Sequence, residues 1–110
     1  MKQYVIDQLR PGDYGRLKEY LDGAFGDSGV EDLYWVPLDP GLLGPEQARH
    51  TDCHPLCFAV ELMDDRISCE LLVRTRNRMR CSCIDYATRE QRDWFIDAMD
   101  AILERLEISV

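Results

Sequence analysis

Four side chains able to ligate a metal fall within eight residues, His50, Cys53, His54 and Cys57, in the order H-x-x-C-H-x-x-C. Imidazole and thiolate are the donors that zinc and softer ions take. The order matches no standard zinc spacing, Pro55 stiffens its middle, and a closed site normally draws ligand pairs from two separated segments. Metal binding through these four residues is one reading; a loop whose Cys57 simply begins a strand is the other. His50 and His54 also offer a pH-sensitive or general-base pair, but no nucleophile or orienting carboxylate is identifiable beside them.

The remaining cysteines, Cys69, Cys81 and Cys83, are expected to meet on the inner face of a sheet. Three thiols could bind a soft metal, but residues two apart on one strand point the same way and converge poorly on a tetrahedral centre. They are read instead as small buried hydrophobes. Five cysteines form an odd set, and the opening Met1-Lys2-Gln3-Tyr4-Val5-Ile6-Asp7 has no apolar core of a signal peptide. Reduced thiols in a cytoplasmic protein follow from that reading, and no membrane span is expected.

Arginine carries the other chemistry. Arg74, Arg76, Arg78 and Arg80 alternate across an expected hairpin turn, and Arg89 and Arg92 open the last helix. From Arg74 to Arg92, six arginines stand against Asp85 and Glu90, a local +4 that leaves −12 to the rest of a chain of net charge −8. Guanidinium groups hold carboxylate and phosphate in a fixed fork, so the cluster suits an acidic protein, another anionic ligand or a second copy of the chain as a homodimer. Nucleic acid is disfavoured, because the net charge repels it and only Tyr86 interleaves with the arginines. Glu61 and Glu70 could cradle a cation, yet Arg74 and Arg80 are placed to pair with them on the same face.

The elements that must position these groups are legible from periodicity. Tyr4 to Leu9 reads as a strand stopped by Pro11-Gly12, and Asp13 as the cap of a helix carrying Leu17, Tyr20, Leu21, Ala24 and Phe25 up to Gly26. Residues 27–44 read as a long connection with Leu33-Tyr34-Trp35-Val36 as its one apolar island, and Pro45 as the first turn of a short helix through Gln47 and His50. Cys57 to Met63, Arg66 to Arg74 and Arg78 to Tyr86 then form an antiparallel meander. Its two-residue turn Asp64-Asp65 sets Leu62 opposite Ile67, Val60 opposite Cys69 and Phe58 opposite Leu71. Its second turn sets Val73 opposite Met79, Leu71 opposite Cys81 and Cys69 opposite Cys83, so that every inward pair is apolar. A last helix starts after Thr88, where Thr88 and Gln91 have the spacing of a capping box, and runs to about Leu106.

At 110 residues the chain reads as a single α+β domain, 1–110. The expected architecture is a two-layer sandwich, an antiparallel sheet with a C-terminal three-stranded meander covered on one face by two main helices. The opening strand, turn and helix around Arg10-Pro11-Gly12-Asp13, with the later meander and helix, resembles the first half of a GNAT-type acetyltransferase in layout. Such enzymes bring the cofactor pyrophosphate to a Gly-rich turn between strand and helix; here that connection is Tyr86-Ala87-Thr88-Arg89, without glycine. Nucleotide-binding, hydrolase and metalloprotease motifs are absent. The functional expectation is a non-enzymatic binding or adaptor module that uses Arg74, Arg76, Arg78, Arg80, Arg89 and Arg92 and needs no cofactor. The alternatives are a metal-binding protein through His50, Cys53, His54 and Cys57, and a small acyltransferase-like domain lacking a cofactor loop.

Overall fold

The turn at Asp64-Asp65 leaves its two strands one register, and the computed structural model, which describes residues 1–109, has that register: Leu62 pairs with Ile67 and Val60 with Cys69. The order of elements is β1 (Gln3–Ile6), α1 (Pro11–Phe25), β2 (Leu33–Pro37), α2 (Pro45–Arg49), β3 (Leu56–Leu62), β4 (Ile67–Glu70), β5 (Leu72–Thr75), β6 (Asp85–Tyr86) and α3 (Arg89–Arg105). Short 3-10 turns lie at Pro40–Leu42 and Thr51–Cys53. All strand pairings are antiparallel, giving an α+β fold with a six-stranded sheet.

One row across the sheet, Tyr34, Val60, Cys69 and Tyr4, places the helices. At one end the Tyr34 hydroxyl donates to Asp22 of α1 at 2.6 Å; at the other the Tyr4 hydroxyl donates to Asp100 of α3 at 2.5 Å. Both helices therefore meet the same face. Leu17 and Leu21 of α1 and Phe95, Met99 and Leu103 of α3 bury their apolar stripes there. Phe58 stacks on Phe95 with ring centroids 4.0 Å apart and on Trp94 at 6.5 Å. Burying one such side chain fully contributes about 1.5–3 kcal/mol.

Helix ends follow local chemistry with one correction. The helix α1 begins at Pro11, whose missing N–H is an orphan donor at that position in any helix, and Asp13 lies inside the first turn, accepting from the Arg10 amide at 2.9 Å. Gly26, with φ 75°, ends it. Thr88 and Gln91 form the expected capping box of α3. The island at residues 33–37 is a strand, β2, paired along β3.

The third strand of the meander does not form as expected. Only Asp85 and Tyr86 join the sheet, opposite Val73 and Leu72, so the register lies six residues away from the apolar pairing of Val73 with Met79. Met79 is 96% exposed instead. The second strand also breaks at Leu71: three residues separate Cys57 from Val60 on β3, but five separate Cys69 from Arg74 on the facing chain. Two extra residues form a bulge, and Phe58 no longer faces Leu71. The Leu71 amide donates to Lys2 and its carbonyl accepts from Ala87, so the bulge marks the place where β1 gives way to β6 on the outer edge. Residues 76–84 are thereby released from the sheet.

Candidate metal centre

What residues 76–84 do instead begins with α2. The Gln47 side chain accepts from the Gly44 amide at 2.9 Å, closing the first turn, and the helix gives way at His50 to a 3-10 turn in which the Cys53 amide donates to the His50 carbonyl at 2.9 Å. Side chains three apart on such a turn eclipse, so His50 and Cys53 project together. Across from them Cys81-Ser82-Cys83 forms a second turn, with the Ile84 amide donating to the Cys81 carbonyl at 3.0 Å. Ligand atoms of His50, Cys53, Cys81 and Cys83 all lie within 4.8 Å of one another.

These separations suit one small ion. With Zn–S bonds of about 2.3 Å, two sulfurs of a tetrahedral site sit about 3.8 Å apart. The Cys53 and Cys81 sulfurs are 3.7 Å apart, whereas His50 Nδ1, at 2.9 Å from Cys81 Sγ, is at hydrogen-bond distance and would have to draw back to about 3.5 Å around an ion. Cys53 and Cys83 are buried, while His50 and Cys81 are partly exposed and form the outer side.

The surrounding groups give each ring nitrogen of His50 a partner. His50 Nε2 lies 2.8 Å from Glu46 Oε1, and the same oxygen accepts from the Ser82 hydroxyl at 2.7 Å. When Nε2–H donates to the carboxylate, the neutral ring leaves its Nδ1 lone pair toward the thiols, the arrangement of metal-ligating histidines. The two ligand loops are held from behind. Gln91 donates to Gln47, Gln47 donates to the Cys83 carbonyl at 3.3 Å, and the Thr75 hydroxyl donates to the Cys53 carbonyl at 2.7 Å. Among the described residues no buried side-chain polar atom lacks a partner.

Electrostatics divide the thiols. Cys81 is held down at about 6 by hydrogen bonds from the backbone and side chain of Cys83, with His50 and Cys53 adding to the effect. Burial pushes Cys83 up to about 12. His50 is raised, first by its bond to Cys81 and then by Glu46. Glu46 is lowered to about 2 by the Ser82 hydroxyl, Arg49 and His50.

The sequence quartet is thus half present. His50 and Cys53 belong to the cluster, but His54 Nε2 turns to the Gln47 carbonyl at 2.7 Å, and Cys57 lies on β3 opposite Arg74, where burial raises its thiol. The turn ends at Cys53 and β3 begins at Leu56, so the last two residues of the pattern point elsewhere. Their places are taken by Cys81 and Cys83, which the alternating pattern had assigned to a strand. The only signal available was the Cys-x-Cys pair itself. Cys69 lies apart, paired with Val60 and Tyr4, and burial pushes its thiol up to about 12.

The arginines are distributed over several settings. Arg74 pairs with Glu70 on the sheet, Arg78 with Asp52 at 3.0 Å, and Arg92 with its neighbour Asp93 at 3.3 Å. The Arg76 guanidinium sits over the Trp35 ring at 5.7 Å, and Arg80 and Arg89 are exposed. The Glu61 and Glu70 pair accordingly has its second member engaged by Arg74. At the connection corresponding to an acyltransferase cofactor turn, the Ala87 amide is bound to Leu71 and the Gln91 amide to Thr88.

No family model, curated protein or solved structure matches the chain. The functional reading therefore rests on the geometry of these side chains.

Proposed function

We propose that the protein is a zinc-binding protein whose Cys3His centre is formed by His50, Cys53, Cys81 and Cys83. The observation that carries the reading is the convergence of four donor atoms within 4.8 Å from two segments, with the far nitrogen of the histidine committed to Glu46. Three thiolates and one imidazole form a borderline-soft, four-coordinate set, which selects zinc over magnesium or calcium. With all four positions filled by protein, the centre has no open place for water or substrate, so its role is structural. It ties the segment between β5 and β6, which has lost its place in the sheet, to the end of α2.

Metal binding would contribute folding free energy to that segment, since a site assembled from two loops does not exist in the unfolded chain. A reducing compartment such as the cytoplasm suits it, because oxidation of any pair of thiols removes the ligands. No described helix is long and apolar enough to cross a membrane. The test is metal content of protein purified without chelator, followed by cobalt substitution. One equivalent of zinc, and the visible absorption of tetrahedral thiolate-bound cobalt, are expected. Cys53→Ser, Cys81→Ser and Cys83→Ser should abolish both, while His54→Ala and Cys57→Ser should retain them. Metal-free protein that neither takes up cobalt nor changes its melting on adding zinc would overturn the proposal.

A further inference from the structure

The segment next to the proposed centre also carries Arg76, Arg78 and Arg80. We infer that residues 76–80, together with Trp35, form a docking surface for an acidic protein segment bearing an apolar side chain. A shallow hollow of about 250 Å³ lies between Trp35 and Met79, walled by Arg74, Arg76 and Arg78. Its apolar side is Trp35 and the 96% exposed Met79, a large hydrophobic group held out to solvent between two arginines. Isolated exposed hydrophobics are ordinary, but this one adjoins an indole and a ring of guanidinium groups.

The charges around the hollow are available to a partner. Arg80 has no acidic partner among the described residues. Arg78 meets Asp52 with both side chains more than half exposed, at 56% and 74%, so a competing carboxylate displaces it readily. Arg76 already rests on an aromatic face, a position from which its fork remains open. Charge also decides the partner class. The chain as a whole is −8, so a long polyanion such as RNA is repelled by everything outside this patch, whereas a short acidic segment engages the patch alone. The hollow holds one indole and no second aromatic on which successive bases could stack.

The surface adjoins the proposed centre without depending on it: Arg80 precedes Cys81, and at the other end Asn77 donates to the Asp52 carbonyl next to Cys53. The two claims remain separable by measuring zinc and binding on the same samples. The probe is a fluorescein-labelled nonapeptide of eight glutamates around one central phenylalanine, followed by anisotropy at 20 and 200 mM salt. Wild-type protein should bind it, and the higher salt should weaken binding at least about tenfold, because charges at such a surface are screened beyond roughly 10 Å at 0.1 M. Arg76→Ser/Arg78→Ser/Arg80→Ser should keep its zinc and lose the peptide; Met79→Ser should weaken binding of the phenylalanine peptide but not of an all-glutamate one. Zinc-loaded wild type that ignores the peptide, a triple variant that binds as well as wild type, or preferential binding of oligouridylate overturns the docking surface. Peptide binding by protein that takes up no zinc supports the surface and overturns the metal centre instead. Failure of both zinc uptake and peptide binding overturns both.

Discussion

His50 Nδ1 lies 2.9 Å from Cys81 Sγ although 31 residues separate them. Their contact joins the end of α2 to the segment between β5 and β6, and it sets how the centre responds to pH. A metal ion needs thiolates and a neutral imidazole, so each proton held by the four ligands must leave on binding. Cys83, at about 12, is protonated at pH 7, whereas Cys81, at about 6, is mostly ionised. His50 is raised, which adds to the protons held below neutrality. Zinc affinity should therefore rise with pH between 6 and 8. Titration calorimetry in two buffers of different ionisation enthalpy should register net proton release at pH 7; uptake, or no proton exchange, would contradict the assignment.

Glu46 tests the outer layer of the centre. It holds Nε2 of His50 and accepts from Ser82, thereby fixing both the ring and the turn that carries two of the cysteines. Removing such a carboxylate weakens metal binding by about 10- to 100-fold. Glu46→Ala should show that loss in competition with a chromophoric chelator while its far-ultraviolet circular dichroism stays that of wild type. Its lowered value also sets a direction. A carboxylate depressed to about 2 contributes to stability above its unfolded value near 4.3 and loses that contribution as pH falls toward 2. Because Glu46 is partly exposed the contribution is small, and the variant should differ from wild type chiefly in zinc affinity.

The first hairpin was legible because a two-residue turn and a strict inward-outward alternation leave one register for Leu62 with Ile67 and Val60 with Cys69. The helix starts at Pro45 and at Thr88 with Gln91 were legible for a similar reason, since Pro45 lacks the N–H that would be orphaned there and the Thr88 and Gln91 side chains each accept from one. The second hairpin was not. Alternation of Arg74, Arg76, Arg78 and Arg80 with Met79, Cys81 and Cys83 has the period of a strand, but a Cys-x-Cys ligand pair has that same period. Periodicity cannot tell a strand face from two donors aimed at one point. The His50 and Cys53 half of the centre could be read from spacing because three residues on one turn is a local relation; its union with Cys81 and Cys83 depends on a sheet register set by the bulge at Leu71, which no local signal announces.

Thiol chemistry should separate the five cysteines into classes. In zinc-free protein Cys81, partly exposed and ionised near neutrality, should react with a maleimide first. Cys69, fully buried and raised to about 12, should react only after unfolding. One equivalent of zinc should protect Cys81 by at least about tenfold in rate, since the thiolate is then a ligand. Mass spectrometry of modified peptides against time checks the order. Labelling of Cys69 ahead of Cys81 would be incompatible with the fold, and labelling of Cys81 that zinc leaves unchanged would be incompatible with the centre.

Two buried substitutions should part stability from metal affinity. Phe58 is fully enclosed and stacks on Phe95, so Phe58→Ala should cost about 3–5 kcal/mol in denaturant unfolding through lost burial and the cavity it leaves. That is a large share of the 5–15 kcal/mol typical of a domain, yet the Phe58 side chain has no polar group with which to hold either ligand segment. Thr75 is different. Its hydroxyl donates to the Cys53 carbonyl at 2.7 Å and accepts from the Asn77 amide at 3.2 Å, so it holds one ligand loop against the start of the other. Thr75→Val keeps the volume but leaves both backbone groups without that partner, at about 1–3 kcal/mol. The prediction is an exchange of rank: Phe58→Ala should be the more destabilised of the two in zinc-free protein, with a zinc affinity close to wild type after refolding in mild conditions, whereas Thr75→Val should be the better folded and the weaker binder. Equal loss of zinc affinity in the two variants would mean that the centre responds to global stability alone, and that the hydrogen bond from Thr75 to the Cys53 carbonyl plays no part in positioning its ligands.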